Sequence, residues 1–107
     1  MNELDFNQFH SKNNLDEILH REIVHLRIQK RSGRKHITTI TGLGQDLDFI
    51  RLLKAFKKNF KCIGSLDIQN EDVIAIKLSG DQRDNVRDFL LQEEIITDEN
   101  CIIIHGN

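Results

Sequence analysis

Proline, tryptophan and tyrosine are absent from this 107-residue chain, and cysteine occurs only twice. Without proline there is no X-Pro bond and no cis-proline turn, so chain reversals fall to glycine, asparagine, aspartate and serine. Two thiols, Cys62 and Cys101, are too few for a disulfide scaffold and point to a reducing, cytoplasmic setting. Both read as buried thiols in strands. With His105 they show no zinc-ligand spacing, and His20 and His25 do not share a helix face, so no metal and no other cofactor is expected. Apolar runs are only a few residues long, far short of a membrane span. The N-terminus (MNELDFNQFHSKNN) lacks the basic start and apolar stretch of a secretory signal. All six phenylalanines fall in the N-terminal tail (Phe6, Phe9) or on the inner stripes of expected helices. That leaves the basic segment without the aromatic platform on which single-strand readers stack bases.

What the chain does have is charge, unevenly placed. Ten of its fifteen Lys and Arg residues lie between Arg27 and Lys61, against only Asp46 and Asp48, a formal +8. The remainder carries −10, so a net charge of −2 and a pI near 6.2 conceal a dipolar molecule. A block of this kind is what a polyanion-binding face requires, and it suits phosphate contacts to folded RNA better than base readout.

One domain is expected, over 22–107, preceded by a flexible tail over 1–21 in which Leu4, Phe6, Phe9, Leu15 and Ile18 follow no sustained period. Ile23 to Lys30 alternates as a half-buried strand, with Leu26 and Ile28 on one side and His25, Arg27 and Gln29 on the other. Ser32-Gly33 turns the chain and HITTIT (His36–Thr41) returns it, which sets Lys30, Arg31, Arg34 and Lys35 on a hairpin tip. Phe49, Leu53, Phe56 and Phe60 then draw the apolar stripe of a helix, with Arg51, Lys54, Lys58 and Lys61 on a separate stripe. Asp46 or Asp48 suits its start and the lysines its end.

A second hairpin follows, Cys62–Gln69 with Val73–Ser79, its polar tip at Gln69, Asn70, Glu71 and Asp72. After Gly80, Asp81 is placed to cap a second helix whose inner stripe is Val86, Phe89 and Leu90. Cys101–Ile104 reads as a central strand buried on both faces. The order β-β-α-β-β-α-β predicts an α+β two-layer sandwich: a mixed five-stranded sheet with two helices on one face.

Catalytic signals are thin, and no enzyme is expected. Cys62 with a distant histidine is a pairing that any small protein with five histidines permits. Gly42-Leu43-Gly44 lacks the third glycine of a dinucleotide fingerprint and the lysine of a P-loop, and reads as a tight strand-to-helix turn. The carboxylates of Asp81 and Asp84 suit a helix start.

RSGRKHITTITGL at 31–43, LLKAFKKNFKCIGSL at 52–66, IKLSGDQRDNVRDFL at 76–90 and IHG at 104–106 together resemble eukaryotic translation initiation factor 1. The resemblance spans about 23–106, with the motifs in the family's order and spacing. It implies a compact α/β sandwich that binds the small ribosomal subunit near the peptidyl site. There it would promote scanning and oppose full accommodation of initiator tRNA at non-start codons. Carried over by motif, Lys30, Arg31, Gly33, Arg34 and Lys35 would touch ribosomal RNA, and Arg51, Lys54, Lys57, Lys58 and Lys61 would extend that contact. Gln69, Asn70, Glu71 and Asp72 would face the initiator tRNA.

The partners implied are the small subunit and the other initiation factors of the preinitiation complex, with no membrane and a monomeric protein. A stand-alone factor is expected over a domain of a longer chain. The alternatives are a related ribosome-binding domain of non-canonical initiation and a general structured-RNA-binding module. The family commonly has a proline and a glycine in the second hairpin tip, where this chain has Asn70 and Val73.

Overall fold

The computed structural model describes residues 23–106; the tail expected over 1–21 lies outside the described residues. Seven elements and one short turn follow in the expected order. They are β1 (Val24–Lys30), β2 (His36–Thr41), α1 (Phe49–Phe60), β3 (Gly64–Asn70), β4 (Val73–Ser79), α2 (Arg83–Gln92), a 3-10 turn at Glu99–Cys101, and β5 (Ile102–Ile104). The strands form one sheet in the order β3-β4-β2-β1-β5, with only the β1–β5 pair parallel.

Register explains which side chains meet. Leu26 stands opposite Ile40, and Ile40 opposite Ile76, so three neighbouring strands place an apolar side chain in one row on one face. Val24, Leu26, Ile40, Ile76 and Leu78 are almost fully buried on that face, beneath Phe49, Leu52 and Phe56 of α1 and Val86 and Leu90 of α2. The helices also meet each other. The Phe89 ring is edge-on to Phe56 at 5.1 Å and to Phe60 at 6.2 Å, while Phe56 and Phe60 stack at 5.4 Å, geometries that aromatic quadrupoles favour.

Both helix starts use the preceding polar residues, in different ways. Asp48 is the N-cap of α1, and its carboxylate accepts from the Arg51 N–H at 3.1 Å. The N-cap of α2 is Gln82, not Asp81, and it makes no side-chain cap bond. Asp81 still accepts from the main-chain N–H of Arg83 at 3.3 Å, and it takes the Arg83 guanidinium, with two nitrogens at 2.8 Å, which holds its carboxyl below the usual range. The start of α2 is secured from a distance. The buried Thr38 hydroxyl donates to the Gly80 carbonyl at 2.7 Å and accepts from the Gln82 N–H at 2.8 Å.

Four expectations need correction. β5 is an edge strand, not a central one, paired only with β1, and Ile103 and Ile104 are exposed. Three consecutive isoleucines cannot all face a core from one side of a sheet. The inner line of α1 runs Phe49–Leu52–Phe56, with Leu53 half-buried at its flank, because the helix leans over β3 as well as β4. β3 starts at Gly64, two residues later than expected. Lys61 ends the helix in a left-handed conformation (φ 52°), and the chain needs Cys62 and Ile63 to reach the sheet. Hence neither thiol lies in a strand: Cys62 is half-buried in that link and Cys101 is buried in the 3-10 turn.

Glycine is obligatory at one connection. Gly42 has φ +92°, and a Cβ there would overlap the Ile23 carbonyl oxygen, so the turn leaving β2 passes directly against the start of β1.

Candidate nucleic-acid interface

Strand direction decides which loops share an end of the sheet. β1 and β2 reverse at 31–35, and β4 finishes and β3 begins at that same end. The tip of the second hairpin lies at the other end, roughly 20 Å away at about 3.3 Å per strand residue. α1 spans the two ends, its N-terminus toward the second tip and its C-terminus toward the first.

The first tip is a tight loop. Arg31 N–H donates to the Lys35 carbonyl at 2.7 Å and Lys35 N–H to the Ser32 carbonyl at 3.3 Å. Gly33 takes φ +66° with open space around its Cα, so the reversal is set by backbone conformation while Arg31, Arg34 and Lys35 stay exposed. Lys57, Lys58 and Lys61 come to this end from the last turn and C-cap of α1, where cations also suit the helix dipole. Lys54 lies midway along α1. Arg51 does not join the group: it stands in the first turn, toward the second tip.

The cations of the block are held open. Among the described residues, Lys30, Arg31, Arg34, Lys35, Arg51, Lys54, Lys57, Lys58 and Lys61 are all exposed and none is in an ion pair. Lys77, Arg83 and Arg87, outside the block, are paired with Asp67, Asp81, and Asp88 and Glu99. Cations without internal partners have only water and counterions to displace on meeting phosphate.

Between the first tip and the link after α1 lies a cleft of about 600 Å³ lined by Arg31, Arg34, Lys35, His36, Ile37, Ile63, Ser79 and Gly80 among others. A second cleft of about 300 Å³ shares Arg31, Ile37, Ile63 and Ser79 with it. Of these residues, His36, Ile37, Ile63, Ser79 and Gly80 were not expected from the sequence. They come from three separate segments, and only strand pairing gathers them.

The second tip is built without glycine or proline. Asn70 stands opposite Val73, leaving Glu71-Asp72 as the loop, and the Asn70 side-chain oxygen accepts from the Asp72 N–H at 2.8 Å. The register shifts between Ile68 and Asn70, a bulge that lets the strands close without positive φ at either loop residue. Gln69, Asn70, Glu71 and Asp72 are all exposed.

Nothing in the described residues resembles a reaction centre. Burial raises the Cys62 thiol above its ordinary value, outweighing the pull of Lys57 in the opposite direction, which is the reverse of an activated nucleophile. No described group of three or more His, Cys, Asp or Glu is arranged to hold a metal, and no described helix is long and apolar enough to cross a membrane.

The family model described as translation initiation factor SUI1 matches residues 20–96, which takes in the basic hairpin, α1 and the second hairpin. The chain belongs to the SUI1 family of translation initiation factors. It is 45% identical over 86 residues to a protein translation factor SUI1 homolog of Salix bakko, covering 80% of this chain and 75% of that one. Eukaryotic translation initiation factor 1 of Mus musculus is 41% identical over 85 residues, 79% of this chain and 74% of its own. The C-terminal domain of human eIF2D has the same fold at 14% identity, with a TM-score of 0.61 over 75% of this chain and 41% of that one. Members of the SUI1 family are initiation factors, not enzymes.

Proposed function

We propose that this SUI1-family factor binds the small ribosomal subunit near the peptidyl site and enforces start-codon selection during scanning. The observation that carries the reading is the set of unpaired cations on the first hairpin tip and α1, with an acidic tip at the opposite end of the same sheet. Lys30, Arg31, Arg34, Lys35, Lys54, Lys57, Lys58 and Lys61 contact phosphates of ribosomal RNA, Gly33 permits the loop, and Arg51 extends the surface toward the second tip.

Gln69, Asn70, Glu71 and Asp72 stand toward the initiator tRNA. The factor occupies space that fully seated tRNA needs, and Glu71 and Asp72 add repulsion toward a phosphate backbone. Correct codon pairing displaces it; a mismatch, weaker by a few kcal/mol, does not. Other initiation factors of the same complex and the cytoplasm are the corresponding partners and location.

Cosedimentation with purified small subunits, set against naked structured RNA, tests the reading. Preference for the subunit is expected, with affinity falling at least tenfold for Arg34→Glu combined with Lys58→Glu and declining steeply with salt. Equal affinity for naked RNA would replace this reading with a general RNA-binding module. Glu71→Lys with Asp72→Lys is expected to raise initiation at near-cognate codons while subunit binding persists.

A further inference from the structure

Ile63 is 75% exposed, the most exposed large apolar side chain among the described residues. Yet its backbone is clamped. Its carbonyl accepts from the Ser79 N–H at 2.9 Å, and its own N–H donates to the Ser79 hydroxyl at 3.1 Å. An isoleucine held this firmly at both main-chain groups, lining a cleft with Arg31, Arg34 and Lys35, is presented and not merely left over.

It lines both clefts, and so do Arg31 and Ile37. The larger cleft, about 600 Å³, lies within the roughly 300–1,000 Å³ of small-ligand sites. Phosphate contacts alone need neither an apolar lining nor a recess. What fits is a flat, largely apolar group tied to an anion. Ile37 and Ile63 supply apolar lining, the Arg31 guanidinium and the His36 imidazole are planar groups of the same lining, and Arg34 and Lys35 supply charge. The imidazole of His36 thus provides a stacking ring that the phenylalanines do not.

Resting on the ribosomal reading above, we infer that this cleft takes one unstacked nucleotide of the bound RNA. Its base lies against Ile63, Ile37 and the planes of Arg31 and His36, and its phosphate meets Arg34 and Lys35. The hairpin tip therefore reads a local distortion of the RNA as well as its charge.

The test uses purified small subunits with the full chain and compares the wild type with Ile63→Lys and Arg31→Lys. Readouts are subunit affinity, hydroxyl-radical cleavage of the RNA backbone, and chemical modification of base edges. The wild type is expected to protect a backbone segment and to change the reactivity of one base within it. Ile63→Lys is expected to weaken binding by about fivefold or more, the loss of a stacked base, despite its added positive charge. Arg31→Lys keeps the charge, removes the plane, and is expected to lose the same base signal.

Binding by Ile63→Lys as tight as wild type or tighter, with a backbone footprint and no change at any base, overturns the nucleotide cleft and leaves the ribosomal reading intact. Failure of the wild type to bind the subunit overturns both. Because Ile63 is exposed, an unchanged melting temperature for Ile63→Lys separates loss of the contact from loss of the fold.

Discussion

Gln45, in the loop between β2 and α1, donates its side-chain amide to the main-chain carbonyl of Asp72 at 3.0 Å. The loop that starts the cationic helix thereby braces the acidic tip of the second hairpin. Two loops 27 positions apart in the chain are thereby joined at one end of the sheet.

For Gln45→Ala, amide hydrogen exchange at 70–73 is expected to accelerate, while global stability falls by no more than about 1 kcal/mol, since the bond is exposed. If the tip acts by its fixed position, initiation at near-cognate codons rises with subunit affinity unchanged. Unaltered exchange at 70–73 would show that Asn70 alone holds the turn.

Lys61 offers a way to separate stability from RNA affinity. Its left-handed conformation is one that glycine adopts without the steric cost, so Lys61→Gly is expected to stabilise the fold by about 1 kcal/mol. The same change removes a cation from the proposed interface, so subunit affinity is expected to drop. Denaturant unfolding and cosedimentation on one protein sample check the two opposite directions. Parallel gains in both would remove Lys61 from the interface.

Thr38→Val deletes the hydroxyl that ties Gly80 to Gln82 and leaves a carbonyl and an N–H without that partner. A loss of about 1–3 kcal/mol is expected by urea unfolding. Thr38→Ser, which keeps the oxygen, is expected to lose less. Equal stability of the valine variant and wild type would mean that water replaces both bonds.

His25 and His105 share a nitrogen-to-nitrogen contact at 2.9 Å, at the junction of β1 with the residue after β5. Burial, then Arg27, then His105 lower the His25 pKa below 6.5, so the unfolded chain binds its proton more readily than the folded one. This contribution is complete above about pH 6.5 and is lost as pH falls through the lower folded value. Asp81, held low chiefly by the Arg83 hydrogen bond, adds a loss of the same sign at more acidic pH, below its ordinary 3.8. Urea unfolding at about pH 8 and about pH 5 is expected to give lower stability at the acidic value, with a smaller difference in His25→Gln. A difference as large in the variant as in wild type assigns the pH dependence to other groups.

Much of the fold was legible along the chain. Alternation in β1 and β4, β-branching in HITTIT and the phenylalanine spacing of α1 each reflect a local period that solvent imposes on any half-buried element. Where two readings share a local pattern, the chain was silent. Ile102–Ile104 looks the same at a sheet's edge as at its centre, and Leu52 and Leu53 compete for one inner position. The cationic half of the candidate interface was legible because ten charges crowd into one segment. Its apolar lining was not, since one isoleucine in a link carries no pattern.

Element order, the polar split between a basic segment and an acidic remainder, and membership of the SUI1 family are all determined by the sequence itself, because each depends on residues near one another in the chain or on their identity alone. Only the tertiary structure decided that Ile63 bonds Ser79 and lines one cleft with Arg31, that Gln45 reaches Asp72, and that β5 closes the sheet at its edge. These contacts join residues 16 to 78 positions apart, from Ile63–Ser79 to Val24–Ile102. They follow from strand order and register, which are settled by burying all the apolar faces together and not by any one segment's own preference.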